Sequence, residues 1–386
     1  MAVYLTLTAV VLCLAFLVKT KDESIYLKPN DDNLIYRGYS RVAVRNKVLL
    51  MAIFVLLTGV SALRINVGND YSNYVEIMHR ANSYAIVPTE VGFNVLTRII
   101  YRLSGFENFV AVFAIFAIFT MLFFIKAIYE QSDDFTLSFV MFMLLCYYFQ
   151  SISTVRWYLA LAIALYSIKY CMAKDYPRFV LLILCGSLFH KSLLLVLVLY
   201  PLAKLKWPKW FQGAVGIFCV SCLFLRSFYL EIAIKLYPSY ADTSYLAGGT
   251  SKISIVRCIG VLLLALWVYK KDVLEDERSR FYFYCNLMAL MMYIFGSFLP
   301  NISRIAYYFT VTQILYVPMI ICDLKNSGDD KKAKISKALT VLLVVGCVGY
   351  FAMYMRGAAD DGVRILPYKT FLFHELPATL SERGFG

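Results

Sequence analysis

The sequence predicts an all-α, polytopic integral membrane protein with about twelve membrane segments. Hydrophobic residues make up 61% of the 386 residues and charged residues only 16%. Mean hydropathy is +0.67, and soluble domains have only roughly 45–50% apolar residues. Apolar stretches of roughly 17–25 residues, the length that a helix needs to cross the hydrocarbon core, recur along the chain. We therefore expect a single transmembrane domain, residues 1–386.

The formal net charge of +13 does not indicate a nucleic-acid partner. Lys and Arg lie in short loops between apolar segments and form no extended basic face. With three histidines the chain offers no metal-binding motif, so we expect no metal and no other cofactor. The ten cysteines all fall within apolar segments, where thiols behave as small hydrophobic side chains.

Loop charge orients the first half of the chain. The first span, residues 3–18, lacks the flanks of a removable signal peptide. A basic segment follows it, which the positive-inside rule assigns to the cytoplasm. The second span, residues 48–63, therefore exits the cytoplasm, and the third, residues 109–128, returns. The fourth and fifth spans, residues 135–152 and 155–173, form a hairpin with a tight external turn.

The next apolar run, residues 179–203, is interrupted by His190 and Lys191. As one helix it would place the lysines at 204, 206 and 209 outside, against the positive-inside rule. We interpret it as two short helices that meet near His190, because irregular backbone within a membrane is tolerated where it is buried in protein or lines a polar cavity. The later spans are expected at residues 213–233, 253–269, 281–299, 305–322 and 338–354, followed by an external tail, residues 356–386.

The external loop, residues 64–108, contains a predicted amphipathic helix at residues 89–104. Polar side chains recur every four residues from Glu90 to Arg102, opposite an apolar face. Such a helix is expected to lie in the membrane interface. Glu90 could equally be a first-turn acid that the helix dipole favours.

In this topology the unusual polar residues converge on the external face. They are Arg64, Asp70, Glu90, Arg156, His190 and Arg304. A functional role is the default hypothesis for Arg156, because an ionisable side chain costs roughly 2.5–3.5 kcal/mol at the membrane centre. Arginine is well suited to bind phosphate, because its planar guanidinium group donates charge-assisted hydrogen bonds to the phosphate oxygens. Asp70 could accept a proton, and so could His190, since imidazole titrates near neutrality.

These positions also have structural explanations. Arg64 and Arg156 could be snorkelling side chains, Asp70 could form a turn with Gly68 and Asn69, and a lone histidine often satisfies only a local hydrogen bond. Tyr307 and Tyr308, one helical turn after Arg304, could line a sugar site or belong to an interfacial aromatic belt.

Five short motifs follow one another between residues 64 and 316. They are RINVGNDY from Arg64, EVGF from Glu90, VRWYLA from Val155, FHKS from Phe189 and RIAYYF from Arg304. In this order they resemble the EpsG family of bacterial exopolysaccharide polymerases, which is similar in role to the Wzy-type polymerases. Asn69 and Trp157 depart from the residues expected of the family at their positions.

The resemblance implies a glycosyltransferase that joins undecaprenyl-pyrophosphate-linked oligosaccharide repeat units at the outer face of the bacterial cytoplasmic membrane. It implies these lipids and the bilayer as partners, with a chain-length regulator and a flippase as further candidates. Our hypothesis is that Arg64, Arg156 and Arg304 hold the leaving pyrophosphate without a metal, while Asp70 or His190 accepts the proton of the attacking hydroxyl. The expected substrate-binding residues also include Tyr71, Glu90 and Tyr308.

Other functions fit the same pattern. A transporter or flippase of the lipid-linked unit would also use broken helices and membrane charges, although it predicts charges along the whole membrane depth. An outer-leaflet glycan ligase would need a similar set of arginine and histidine residues. A membrane O-acyltransferase would use His190.

Overall fold

A computed structural model describes residues 1–19, 26–29, 35–38, 41–236, 251–299 and 301–374. Within these ranges the chain is mainly helical, which confirms the predicted helical class. The departure is an antiparallel pair of strands, β1 (Tyr26–Pro29) and β2 (Ile35–Gly38). Both strands contain aromatic and aliphatic residues that favour extended backbone, within a segment from which only a basic loop was expected.

The described helices of the first half are α1 (Ala2–Leu17), α2 (Arg41–Ala62), α3 (Tyr71–Asn82), α4 (Val91–Ser104), α5 (Phe109–Gln131), α6 (Phe135–Leu144), α7 (Tyr147–Ser153), α8 (Val155–Met172) and α9 (Tyr176–Ser187). Those of the second half are α10 (Val196–Lys204), α11 (Lys209–Phe224), α12 (Arg226–Leu236), α13 (Lys252–Tyr269), α14 (Glu277–Phe295), α15 (Ile302–Thr310), α16 (Gln313–Lys325) and α17 (Asp330–Arg356). Short 3-10 helices cover Lys191–Leu195 and Lys270–Leu274.

Within the described residues, five helical stretches are long and apolar enough to cross a membrane. They are α2, α5, α13 with the 3-10 helix after it, α15 with α16, and α17. Two bent pairs raise the number to seven if each is one span: α6 with α7 bends by 45°, and α11 with α12 bends by 96°. Shorter apolar helices are α1 and α9. The protein is therefore a multi-span membrane protein.

The chain divides into two compact units. The first comprises residues 1–166, 185–191 and 321–386. In it, α5 packs against α2 and α4, and α6 packs against α1 and α17. The buried face of α5 is aromatic. It carries Phe109, Phe113, Phe116 and Phe124, which recur at helical spacing and are all buried. The side chain of Asn108 begins this helix by accepting the Ala111 N–H at 3.0 Å.

The second unit comprises residues 167–184 and 192–320, with α14 packed against α10, α13 and α15. Its core contains a polar contact, in which the fully buried Gln313 donates to Asn286 at 2.7 Å. Lys204 is also buried, and its ammonium binds the Cys171 carbonyl at 2.8 Å and the Glu277 carboxylate at 3.1 Å. The lysine that ends α10 thus satisfies a free carbonyl at the end of α8.

The helix break predicted near His190 is present. Helix α9 ends at Ser187, and the 3-10 helix begins at Lys191. The amphipathic segment of the 64–108 loop is helical from Val91, slightly later than expected, because Glu90 is its N-cap and has extended backbone.

Candidate functional site

An ion pair between Arg156 and Glu90 forms the centre of the candidate site. Arg156 lies in the first turn of α8, and its Nη1 donates to Oε2 of Glu90, the N-cap of α4. Their side chains are only 14% and 16% exposed. The other carboxylate oxygen of Glu90 accepts the backbone N–H of Lys191 at 3.2 Å. One carboxylate therefore joins the arginine to the helix break beside His190.

The same break is held by the first turn of α4. The Gly92 N–H donates to the Leu188 carbonyl at 2.9 Å. A Cβ at position 92 would lie only 2.6 Å from that carbonyl oxygen. Glycine is therefore required here by the close approach of two backbones.

Two aromatic rings flank Arg156. Its Cζ lies 5.4 Å from the ring centre of Tyr74 and 5.2 Å from that of Phe93, which is the range of cation–π attraction. Its Nε is buried and makes no hydrogen bond within the described part of the chain. Arg156 thus keeps a donor that its ion pair with Glu90 does not use.

Asp70 lies one helical turn before Tyr74, one of these two rings. It is the N-cap of α3, and its carbonyl accepts the Tyr74 N–H at 2.9 Å. Its half-buried carboxylate makes neither a hydrogen bond nor an ion pair with any described residue. The carboxylate is therefore available to a ligand.

Tyr71 packs inside the first unit. It is 1% exposed and stacks on Phe113 with ring centres 4.6 Å apart. Burial raises the pKa of its phenol to about 12, so the hydroxyl stays protonated at neutral pH. This geometry favours a packing role for Tyr71 over contact with a sugar.

Arg64 is also buried, with 1% exposure. Its Nε and Nη2 donate to the carbonyls of Val67 and Ile152 at 3.3 and 2.9 Å, and its Nη1 donates to the Ser61 carbonyl. All three guanidinium nitrogens therefore bind backbone oxygens. The contacts join the end of α2 to the end of α7, which favours a positioning role.

A series of contacts connects the predicted residues of the first unit. Arg156 contacts Glu90 and Tyr74, and Glu90 binds the Lys191 backbone next to His190. The Tyr74 N–H donates to the carbonyl of Asp70, one helical turn earlier. His190 itself is half-buried, and its backbone N–H donates to the Gly186 carbonyl at 3.3 Å.

Arg304 and Tyr308 belong to the second unit. Arg304, in α15, is half-buried and has no ion-pair partner within the described ranges. Tyr308 is fully buried, its hydroxyl lies 2.8 Å from Ser192 Oγ, and its carbonyl accepts the Tyr200 hydroxyl at 2.8 Å. The bonds of Tyr308 thus hold α15 against the segment at 192–200.

The sequence interpretation missed Tyr74 and Phe93. Helical spacing could have suggested them, because Tyr74 lies four residues after Asp70 and Phe93 three residues after Glu90. In the described residues, no group of three or more His, Cys, Asp or Glu side chains is arranged to hold a metal ion.

Comparison with known proteins gives one match. The family model described as the EpsG family matches residues 47–370. No curated protein and no solved structure matches the chain.

Proposed function

The chain belongs to the EpsG family, and on that premise we propose that it is a glycosyltransferase that polymerises lipid-linked oligosaccharides into exopolysaccharide. The substrate class is an undecaprenyl-pyrophosphate-linked repeat unit. The observation that supports the proposal most is Arg156, which is held between two aromatic rings with an unused donor beside a broken helix. A partly buried guanidinium of this kind can stabilise a phosphate that gains charge as it leaves.

In the proposed reaction, a hydroxyl oxygen of the acceptor repeat attacks the anomeric carbon of the donor repeat. The bond from that carbon to the pyrophosphate oxygen breaks, and undecaprenyl pyrophosphate leaves with the electron pair. Arg156 binds the departing pyrophosphate, whose oxygens compete with the Glu90 carboxylate for the same guanidinium. Glu90 then keeps its contact with the Lys191 N–H, which holds the break in place.

The proton of the attacking hydroxyl goes to a nearby base. We prefer Asp70, because no donor in the described structure occupies its carboxylate oxygens. His190, at the helix break, is the alternative base. Replacing each with its neutral analogue, Asp70→Asn and His190→Gln, and measuring single-turnover rates will identify the group whose loss slows the chemical step.

The other predicted residues have supporting roles in this proposal. Arg64 positions the Asp70 loop and Ile152, and does not itself contact the substrate. Tyr71 packs beneath the same loop. Arg304 offers the same guanidinium chemistry in the second unit, and we assign it to phosphate binding on that ground alone, with Tyr308 holding its helix.

We place the protein in the bacterial cytoplasmic membrane with about twelve segments and the site facing outward. The loop at 64–108 and the C-terminal tail are external in this topology. Helix α4 lies in the interface, because Val91, Val95, Ile99 and Leu103 form an exposed apolar stripe at four-residue spacing. The polymer serves as capsule, O-antigen or secreted polysaccharide, with a flippase and a chain-length regulator as partners.

Glycan analysis of a deletion strain tests the proposal. A polymerase predicts loss of long polymer with single lipid-linked repeats retained at the outer face. Complementation by Arg156→Gln should fail, whereas Arg102→Gln, which changes an exposed arginine of α4, should restore the polymer. Loss of outer-face single repeats would point instead to a flippase, and normal chain length with altered acetylation would point to an acyltransferase.

A further inference from the structure

The C-terminal segment, residues 358–373, packs on the loop that carries Asp70. Backbone hydrogen bonds of 3.0, 2.8 and 3.2 Å run from Ile65 to Lys369, from Gly68 to Arg364 and from Phe371 to Leu63. These residues all belong to the first unit. Residues 358–373 therefore support the loop of the candidate site.

Buried contacts anchor this segment. Ile365 is fully buried, and its carbonyl accepts the Tyr4 hydroxyl at 3.0 Å. The Tyr368 hydroxyl donates to the Val60 carbonyl, also at 3.0 Å. Because α1 and the end of α2 hold the segment at Ile365 and Tyr368, Arg364, directly before Ile365, has a fixed position.

Arg364 uses this fixed position to reach the Asp70 loop. Its Nη2 donates to Asn66 Oδ1 at 3.0 Å and to Ser72 Oγ at 3.2 Å. Asn66 and Ser72 flank Asp70 in the chain and are exposed. Arginine has five N–H donors, and those on Nε and Nη1 bind no described residue.

The position of Arg364 relative to the candidate spans indicates what these donors meet. The loop at 64–72 begins directly after the span α2, and Arg364 follows the end of the span α17 by eight residues. Two membrane helices thus deliver the loop and the arginine to the same surface. In the proposed topology this surface is the outer membrane interface, where lipid phosphates lie. Guanidinium groups bind phosphate oxygens through paired hydrogen bonds.

We propose that Arg364 is a further substrate-binding residue, which contacts the pyrophosphate of the lipid-linked substrate beside Asp70. The inference rests on the proposed polymerase function. The C-terminal segment is then a wall of the site, and Asn66 and Ser72 orient the arginine toward the phosphate.

The test uses the full-length protein in nanodiscs of zwitterionic lipid, with polymer formation measured against the concentration of lipid-linked repeat unit. We expect Arg364→Gln to raise KM about tenfold, the effect of one lost charged hydrogen bond, with little change in kcat. Arg364→Lys should recover part of the affinity. Lys369→Gln, which removes an exposed charge from the same segment, should leave KM unchanged. An unchanged KM in Arg364→Gln, or a loss confined to kcat and thermal stability, would overturn the inference.

A binding measurement separates this inference from the polymerase proposal. Binding of undecaprenyl pyrophosphate, which carries no sugar, should weaken in Arg364→Gln and in the Asn66→Ala/Ser72→Ala double variant, which frees the arginine from its partners. If the wild-type protein binds this lipid through Arg364 but forms no polymer, the proposed function fails and the inference stands. If phosphatidylglycerol competes equally well, Arg364 binds lipid head groups in general and the assignment to the substrate is wrong.

Discussion

Arg156 and Glu90 depend on each other for both burial and chemistry. Removing one partner of a buried ion pair leaves an uncompensated charge, which costs about 3 kcal/mol or more. Exchanging the two side chains, Glu90→Arg with Arg156→Glu, keeps the pair but moves the guanidinium from α8 to α4. We expect this double variant to recover part of the stability that each single variant loses, because the Lys191 N–H still lacks its acceptor, and to form no polymer.

The single variants provide the controls for this exchange. Arg156→Gln and Glu90→Gln should each lower the melting temperature, and the exchanged pair of charges should restore part of that loss. Polymer formation by the exchanged variant at the wild-type rate would mean that the position of the guanidinium does not matter, which contradicts a direct role for Arg156.

Arg64 is predicted to stabilise the fold. Arg64→Ala removes the donors to three backbone carbonyls in a buried setting, and each unsatisfied group costs roughly 1–3 kcal/mol. The melting temperature should therefore fall strongly, and Arg64→Lys should recover little, because one ammonium cannot reach the Ser61, Val67 and Ile152 oxygens together. Differential scanning fluorimetry checks this. An Arg64→Ala protein that melts normally and loses only affinity for undecaprenyl pyrophosphate would show direct substrate contact instead.

The local sequence pattern identified the charged residues of the candidate site, but it did not identify the residues that they contact. Arg156 is conspicuous because it is charged between apolar runs, whereas Glu90, its partner, is 66 residues away in the chain. Arg364 and Asn66 are separated by 298 residues. Such pairs depend on how the helices pack, and helical spacing relates only side chains three or four positions apart.

At the scale of elements, the site depends on the approach of α4 to the end of α9. Gly92→Ala would place a methyl group 2.6 Å from the Leu188 carbonyl oxygen, so the two backbones must separate. Glu90, two residues earlier, would then lose its contact with the Lys191 N–H. We expect a large loss of polymerisation, measured with the same lipid-linked substrate.

Gly59→Ala is the matched control for this variant. Gly59 lies within α2, and a Cβ there would have no heavy atom within 4 Å, so alanine should be neutral or slightly stabilising. Equal activity of Gly92→Ala and Gly59→Ala would show that the close contact at the break does not organise the site.

Hydropathy and loop charge predicted the elements better than their bends. The break at His190 followed from loop charge, and Asn108 caps α5 as a short polar side chain should. The bend between α6 and α7 lies within an uninterrupted apolar run and follows Cys146, which has a positive φ of 65°. No glycine or proline marks this bend in the sequence, so pattern alone could not find it.

At the scale of the whole molecule, the topology predicts which surfaces face outward. Helix α17 has 27 residues and is therefore about 40 Å long, enough to place its two ends on opposite membrane faces. Lys331 lies in the first turn of this helix, and Lys369 lies beyond its last residue, Arg356. Both lysines are exposed. In a cysteine-free variant, an impermeant maleimide should label Lys369→Cys in intact cells and Lys331→Cys only after permeabilisation. The reverse pattern would place the candidate site in the cytoplasm.

The central claim is that this chain alone elongates lipid-linked repeats through Arg156. Purified protein in nanodiscs, supplied with undecaprenyl-pyrophosphate-linked repeat units and no nucleotide sugar, tests it directly by resolving the lipid-linked products on a gel. The wild-type protein and the Arg102→Gln control should produce a ladder of increasing length with release of undecaprenyl pyrophosphate, and Arg156→Gln should produce neither. An unchanged ladder from Arg156→Gln, or single repeats left intact by the wild-type protein, would contradict the claim.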